Sequence, residues 1–163
     1  MPGRLPTSAV AVVIISLQFV MLPLLQAGNS MPAAKAIDKC PVCGMFVSSH
    51  RNWKSSVRLK NGSVVFFDGP KDMFSYYLSP GKYVPSAQQS AIAEITVKDY
   101  YSLKPVDARK AYFVAGSNVL GPMGKELIPL AGESDAQAFM KDHKGKTIYR
   151  FNEIVPAILK SLE

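Results

Sequence analysis

The two cysteines of this 163-residue chain stand three positions apart, in Cys40-Pro-Val-Cys43-Gly-Met45. A disulfide across so short a loop adds little chain-entropy stabilisation, so the pair reads as chemistry rather than as a staple. Three chemistries use such a pair. Covalent c-type haem needs a histidine directly after the second cysteine, and position 44 is glycine, which excludes it. Thiol–disulfide exchange needs the pair at the start of a helix, whose terminus lowers the thiol pKa. Here Gly44 follows, then a segment with an extended pattern; an envelope oxidoreductase is the competing reading. Metal binding is the third. A structural zinc site takes four thiolate or imidazole ligands, and the only histidines, His50 and His143, have no finger-like spacing. What stands beside the cysteines is the thioether of Met45. Thiolate and thioether are soft donors, a set that selects Cu(I) over zinc. In an extended Cys43-Gly44-Met45, alternation points both sulfur side chains to one side, with Gly44 leaving room between them.

Further donors are few. Met123 lies in Gly121-Pro-Met123-Gly124, a turn without periodic apolar neighbours and so with little core to join. Met73 and Met140 fall on helical patterns and read as core. His50, in Ser48-Ser49-His50-Arg51, either completes a site with Cys40, Cys43, Met45 and Met123 or is simply solvated. His143 ends a helical pattern, where imidazole satisfies last-turn carbonyls and the dipole. No nucleophile–base set, phosphate loop or carboxylate pair is legible elsewhere, so the chain does not read as an enzyme.

The elements that must position these residues begin after a leader. Residues 9–25 are almost unbroken apolar, Arg4 precedes them, and no acid occurs before Asp38. This is the layout of an export signal, either cleaved or, given its length, retained as an inner-membrane anchor. Both outcomes place the rest beyond the membrane. The expected division is residues 1–36 as leader and linker, and 37–163 as one folded domain. The formal net charge of +7 is strongly basic. Its lysines are scattered rather than clustered, which fits a solvated surface and no nucleic-acid partner.

Within the domain, Asn61-Gly62 between residues 53–59 and 63–67 signals a hairpin. Asp68-Gly69-Pro70 then opens a helix over 70–78, which Ser79-Pro80-Gly81 ends. Residues 81–90 and 99–109 read as loops, and 91–97, 111–115, 126–130 and 147–150 as strands. Ser134-Asp135 caps an amphipathic helix, and residues 152–162 form the last one. The run ending Phe67-Asp68-Gly69-Pro-Lys-Asp72 is echoed around Gly132 and Asp135. Both runs read strand, glycine-containing turn, helix, which fits either a duplicated ββα unit or a chance echo of a common motif.

Several segments in order carry a family resemblance: Cys40-Pro-Val-Cys43-Gly-Met45-Phe-Val, Phe66-Phe67-Asp68, Val97-Lys-Asp99-Tyr100, Asp107-Ala108, Ala111-Tyr112-Phe-Val-Ala-Gly116, Gly121-Pro-Met123-Gly124, then Phe139 and His143. The series resembles the NosL family of nitrous oxide reductase accessory proteins and spans nearly all of the domain. The resemblance implies a periplasmic Cu(I) chaperone of denitrification, with an α+β fold of two ββα-type halves and small mixed or antiparallel sheets, related to organomercury lyase. It implies nitrous oxide reductase or another copper-accepting envelope protein as client, and a membrane transporter of the maturation system as partner. A Cys-x-Met ligand pair maps onto Cys43 and Met45, with Met123 as third. Family members are commonly lipoproteins; this sequence has no cysteine before residue 40 to carry a lipid.

Overall fold

The computed structural model describes Gly3, residues 31–84 and residues 89–163; the apolar run at 9–25 lies outside them. No helix among the described residues is long and apolar enough to cross a membrane.

The chain folds as two units of the same order. In the first, β1 (Ser55–Leu59) pairs antiparallel with β2 (Val64–Phe67), and α1 (Pro70–Leu78) follows. The hairpin turn needs Gly62 at φ +87°, and Asn61 Oδ1 accepts the Ser63 N–H at 3.0 Å, the local reason that Asn-Gly makes this turn. After α1 comes a four-residue helical turn, α2 (Pro80–Tyr83), within a stretch that reads as loop. β3 (Ile92–Lys98) then adds to the far side of β1, and β4 (Pro105–Asp107) to β3, giving the order β2-β1-β3-β4. β4 corrects the loop reading of 99–109: proline lacks an N–H, but an edge strand needs donors on one side only.

The second unit repeats the plan. β5 (Tyr112–Ala115) is followed by a small excursion of two two-residue strands, β6 (Leu120–Gly121) and β7 (Gly124–Lys125), which bracket Pro122 and Met123. β8 (Ile128–Leu130) pairs antiparallel with β5, α3 (Glu133–Asp142) follows, and β9 (Thr147–Arg150) adds to the far side of β5. The sheet order β8-β5-β9 matches β2-β1-β3. Both helices begin after an extended glycine, Gly69 and Gly132. Gly132, rather than Ser134, is therefore the cap of α3. The C-terminal segment is broken: a 3-10 turn at Phe151–Glu153, then α4 (Pro156–Lys160). Pro156 has no N–H to continue a helix from 152 and is best placed at a helix start.

Two cores result. The larger gathers Val57, Phe67, Met73, Phe74, Ile95 and Phe113; the smaller gathers Val114, Ile128, Leu130, Ala136 and Phe139. β5 lies between them, with Phe113 facing one and Val114 the other, so it is apolar at successive positions. Phe74 of α1 meets Phe113 edge-on at 5.0 Å and Phe151 at 5.0 Å, joining the first unit's helix to the second unit's strand. Each such ring contributes roughly 1.5–3 kcal/mol by its burial.

Candidate metal centre

The cysteine segment folds back on itself. Lys39 and Phe46 form an antiparallel bridge. Inside it the Cys40 N–H donates to the Met45 carbonyl and the Gly44 N–H to the Cys40 carbonyl, both at 2.9 Å. Gly44 closes the reversal at φ +78°, a conformation that costs a residue with a Cβ about 1–2 kcal/mol. The extended geometry predicted for Cys43-Gly44-Met45 is thus replaced by a tight turn, and strand alternation is not what relates the two sulfur residues. Backbone direction relates them instead. The Met45 N–H is aimed at the Cys43 sulfur, and the N–H groups of Cys43 and Val42 at the Cys40 sulfur. Such donors favour negative charge on sulfur.

Facing the thiols are two carboxylates that sequence reading did not single out as donors, Asp68 at the end of β2 and Asp72 in the first turn of α1. The Cys40 thiol donates to Asp72 Oδ2 at 3.2 Å and the Cys43 thiol to Asp68 Oδ1 at 3.3 Å. One donor atom from each of the four residues lies within 4.8 Å of the others. Cys40, Asp68 and Asp72 are buried and Cys43 is half-buried, so the cluster opens outward on the Cys43 side. Nothing local in the sequence marks them as donors: Asp68 precedes the cap Gly69, Asp72 lies three residues after it, and each reads as an ordinary acid near a helix start.

Burial dominates the electrostatics of the cluster. Burial pushes the Cys43 thiol up to about 12, and the Asp72 carboxyl beside it adds to the rise. Burial likewise raises Cys40, more strongly; the N–H groups of Cys43 and Val42 oppose the rise and Asp72 reinforces it. Asp72 is raised by burial as well, with the thiol hydrogen bonds pulling it back and Asp68 pushing it further. Asp68 Oδ2 is buried with no hydrogen-bond partner among the described residues. A buried carboxylate oxygen without a donor is costly unless a cation or proton comes to it. Both thiols are free.

Of the other expected donors, Met45 is half-buried within the turn. Met123 is 46% exposed, and its carbonyl accepts the Lys71 Nζ at 3.1 Å, which ties its turn to the residue next to Asp72. The structure does not bring His50 into the cluster. It lies in a 3-10 turn, Val47–His50, beside a shallow groove with Ser48, Arg51 and Trp53. His143 is the C-cap of α3 and stacks on Phe139 at 4.3 Å.

The NosL family profile matches residues 32–159. The chain belongs to the NosL family. It is 32% identical over 131 residues to the copper-binding lipoprotein NosL of Stutzerimonas stutzeri, an alignment covering 76% of this chain but 65% of that relative, so it spans less than two thirds of the relative's length. The crystal structure of the copper chaperone NosL from Shewanella denitrificans superposes with a TM-score of 0.66 at 31% identity, covering 78% of this chain and 97% of that one. The α+β architecture of paired units is therefore the NosL fold. In this NosL-family chain the thiols come from the turn ahead of the first unit, and the carboxylates from that unit's strand-to-helix junction.

Proposed function

We propose that this protein is an exported Cu(I) chaperone. It holds copper at the Cys40–Met45 turn and passes it to nitrous oxide reductase or a related envelope copper protein, with a membrane transporter of the maturation system as a further partner. It performs no catalysis. The observation that carries the reading is the convergence of the two free thiols on Asp68 and Asp72, with donor atoms within 4.8 Å. The names of the relatives support copper as the cargo. Cys43, Met45 and Met123 are the preferred ligands because thiolate and thioether suit a soft monovalent ion. Cys40 is the deeper, reserve thiol. Asp68 and Asp72 accept the thiol hydrogens and supply negative charge, being harder donors than Cu(I) prefers.

The oxidoreductase reading loses ground on the same geometry. An exchanging cysteine needs a depressed pKa, whereas burial and Asp72 raise both thiols. The test is anaerobic Cu(I) titration against a competing chelator. Cys43→Ser and Met45→Ala are expected to weaken binding far more than Cys40→Ser, and Zn(II) is expected to compete poorly. Equal losses from both cysteines with a silent Met45→Ala would replace this site by a dithiolate. No preference for Cu(I) over Zn(II) would end the chaperone reading.

A further inference from the structure

The side chain of Glu126 lies in the seam between the two units, only 3% exposed. Its Oε1 accepts the Lys71 N–H of α1 at 2.6 Å and the Leu127 N–H at 2.9 Å. Its flanks are glycines, and a Cβ on either would force the Glu126 side chain to shift. A Cβ on Gly69 would collide with Glu126 Oε2, and a Cβ on Gly121 would stand 2.9 Å from Glu126 Cγ. Gly69 separates Asp68 from α1, and Gly121 opens the turn that holds Met123. Lys71 completes the connection, its backbone bound by Glu126 and its Nζ bound to the Met123 carbonyl at 3.1 Å. Two short strands with one turn between them have little pairing of their own. The side chains of Glu126 and Lys71 therefore tie this excursion to the helix that carries Asp72.

We propose that Glu126 is a positioning residue of the metal centre, clamping the Met123 turn of the second unit to the start of α1 in the first. The inference rests on the reading of Met123 as a copper ligand. Supporting groups that hold a ligand in place commonly matter about ten- to hundredfold in metal affinity. Loss of the clamp frees Met123 without altering the Cys40–Met45 turn.

The experiment is a double-mutant cycle on the full exported chain, read by Cu(I) competition. Met123→Ala is introduced alone and together with Glu126→Ala, Glu126→Gln or Lys71→Met. Met123→Ala alone is expected to weaken binding about tenfold or more, and to change it less than about twofold in the Glu126→Ala background. Glu126→Gln keeps an oxygen for both N–H groups and should retain the full Met123 effect. Lys71→Met leaves Glu126 in place, should shrink the Met123 effect, and carries the test if Glu126→Ala does not fold. Amide exchange of the metal-free protein is the second readout, with protection at residues 121–124 lost in Glu126→Ala and kept in Glu126→Gln. A Met123 effect that stays whole in both Glu126→Ala and Lys71→Met overturns the clamp alone. A silent Met123→Ala in the otherwise unaltered protein removes Met123 from the site, and the clamp with it.

Discussion

The Cys43 sulfur and the Asp68 carboxylate meet at 3.3 Å although 25 residues separate them in sequence. The contact joins a glycine-closed turn to the end of a strand, and each supplies what the other lacks. The thiol has a proton to lose, and the carboxylate has an oxygen, Oδ2, with no donor among the described residues. An arriving cation resolves both.

Cu(I) affinity should rise with pH. Cys43 is held at about 12 and Cys40 is raised as well, so near neutrality both thiols carry their protons in the metal-free protein. Each thiol that binds as thiolate must release one, which makes the affinity climb about tenfold per pH unit for every thiol engaged. A slope of one matches Cys43 with thioethers, and a slope of two matches a dithiolate. Chelator competition across the neutral range measures it, and a flat profile would mean that no thiol loses a proton.

Asp72→Asn should make the thiols more acidic. The substitution removes a carboxylate that raises both cysteines and keeps a similar volume. Ultraviolet titration of thiolate absorbance is expected to show the Cys43 midpoint falling below about 12. An unmoved midpoint would show that burial alone sets it.

Glu126 should make the fold less stable as pH rises. Burial pushes its carboxyl from 4.5 up to about 8, against the pull of the Leu127 and Lys71 N–H groups. Between those values the folded protein keeps a proton that the unfolded chain has lost. Stability is then greatest below about 4.5 and declines until about 8. Thermal unfolding over this range should show the decline in the wild type and not in Glu126→Gln, against the background of other groups. Equal slopes in the two proteins would contradict the assignment.

Phe74→Ala should cost about 3–5 kcal/mol. The ring is fully buried and contacts Phe113 and Phe151, so its loss opens a cavity between the units. Urea unfolding measures the cost. A change under about 1 kcal/mol, the size of a surface effect, would show that the two units do not depend on this ring.

Much of the architecture was legible because its signals are local. Asn61-Gly62 marks the hairpin, Pro70 opens α1 at its observed start, and Thr147–Arg150 is the short strand read there. The misreadings share a cause. β4 begins at a proline that only an edge strand accepts, α2 is a single turn after Ser79, and Pro156 splits the last helix. In each case tertiary placement decides between states that sequence leaves close. At the site, Cys40 and Cys43 were visible by type and spacing. Asp68 and Asp72 were not, because a carboxylate gains its role there only by facing a thiol brought from another segment. The turn at Gly44 was missed for want of periodicity, although a lone glycine between two sulfur residues admits the left-handed conformation.

The repeat supplies its own control. Asp135 holds in α3 the place that Asp72 holds in α1, three positions after the glycine cap, yet Asp135 is exposed to solvent. Helix geometry therefore does not by itself bury an acid at this position. Asp72 is secluded where the cysteine turn lies over it, and the cost of dehydrating that acid is borne by the copy that faces the thiols.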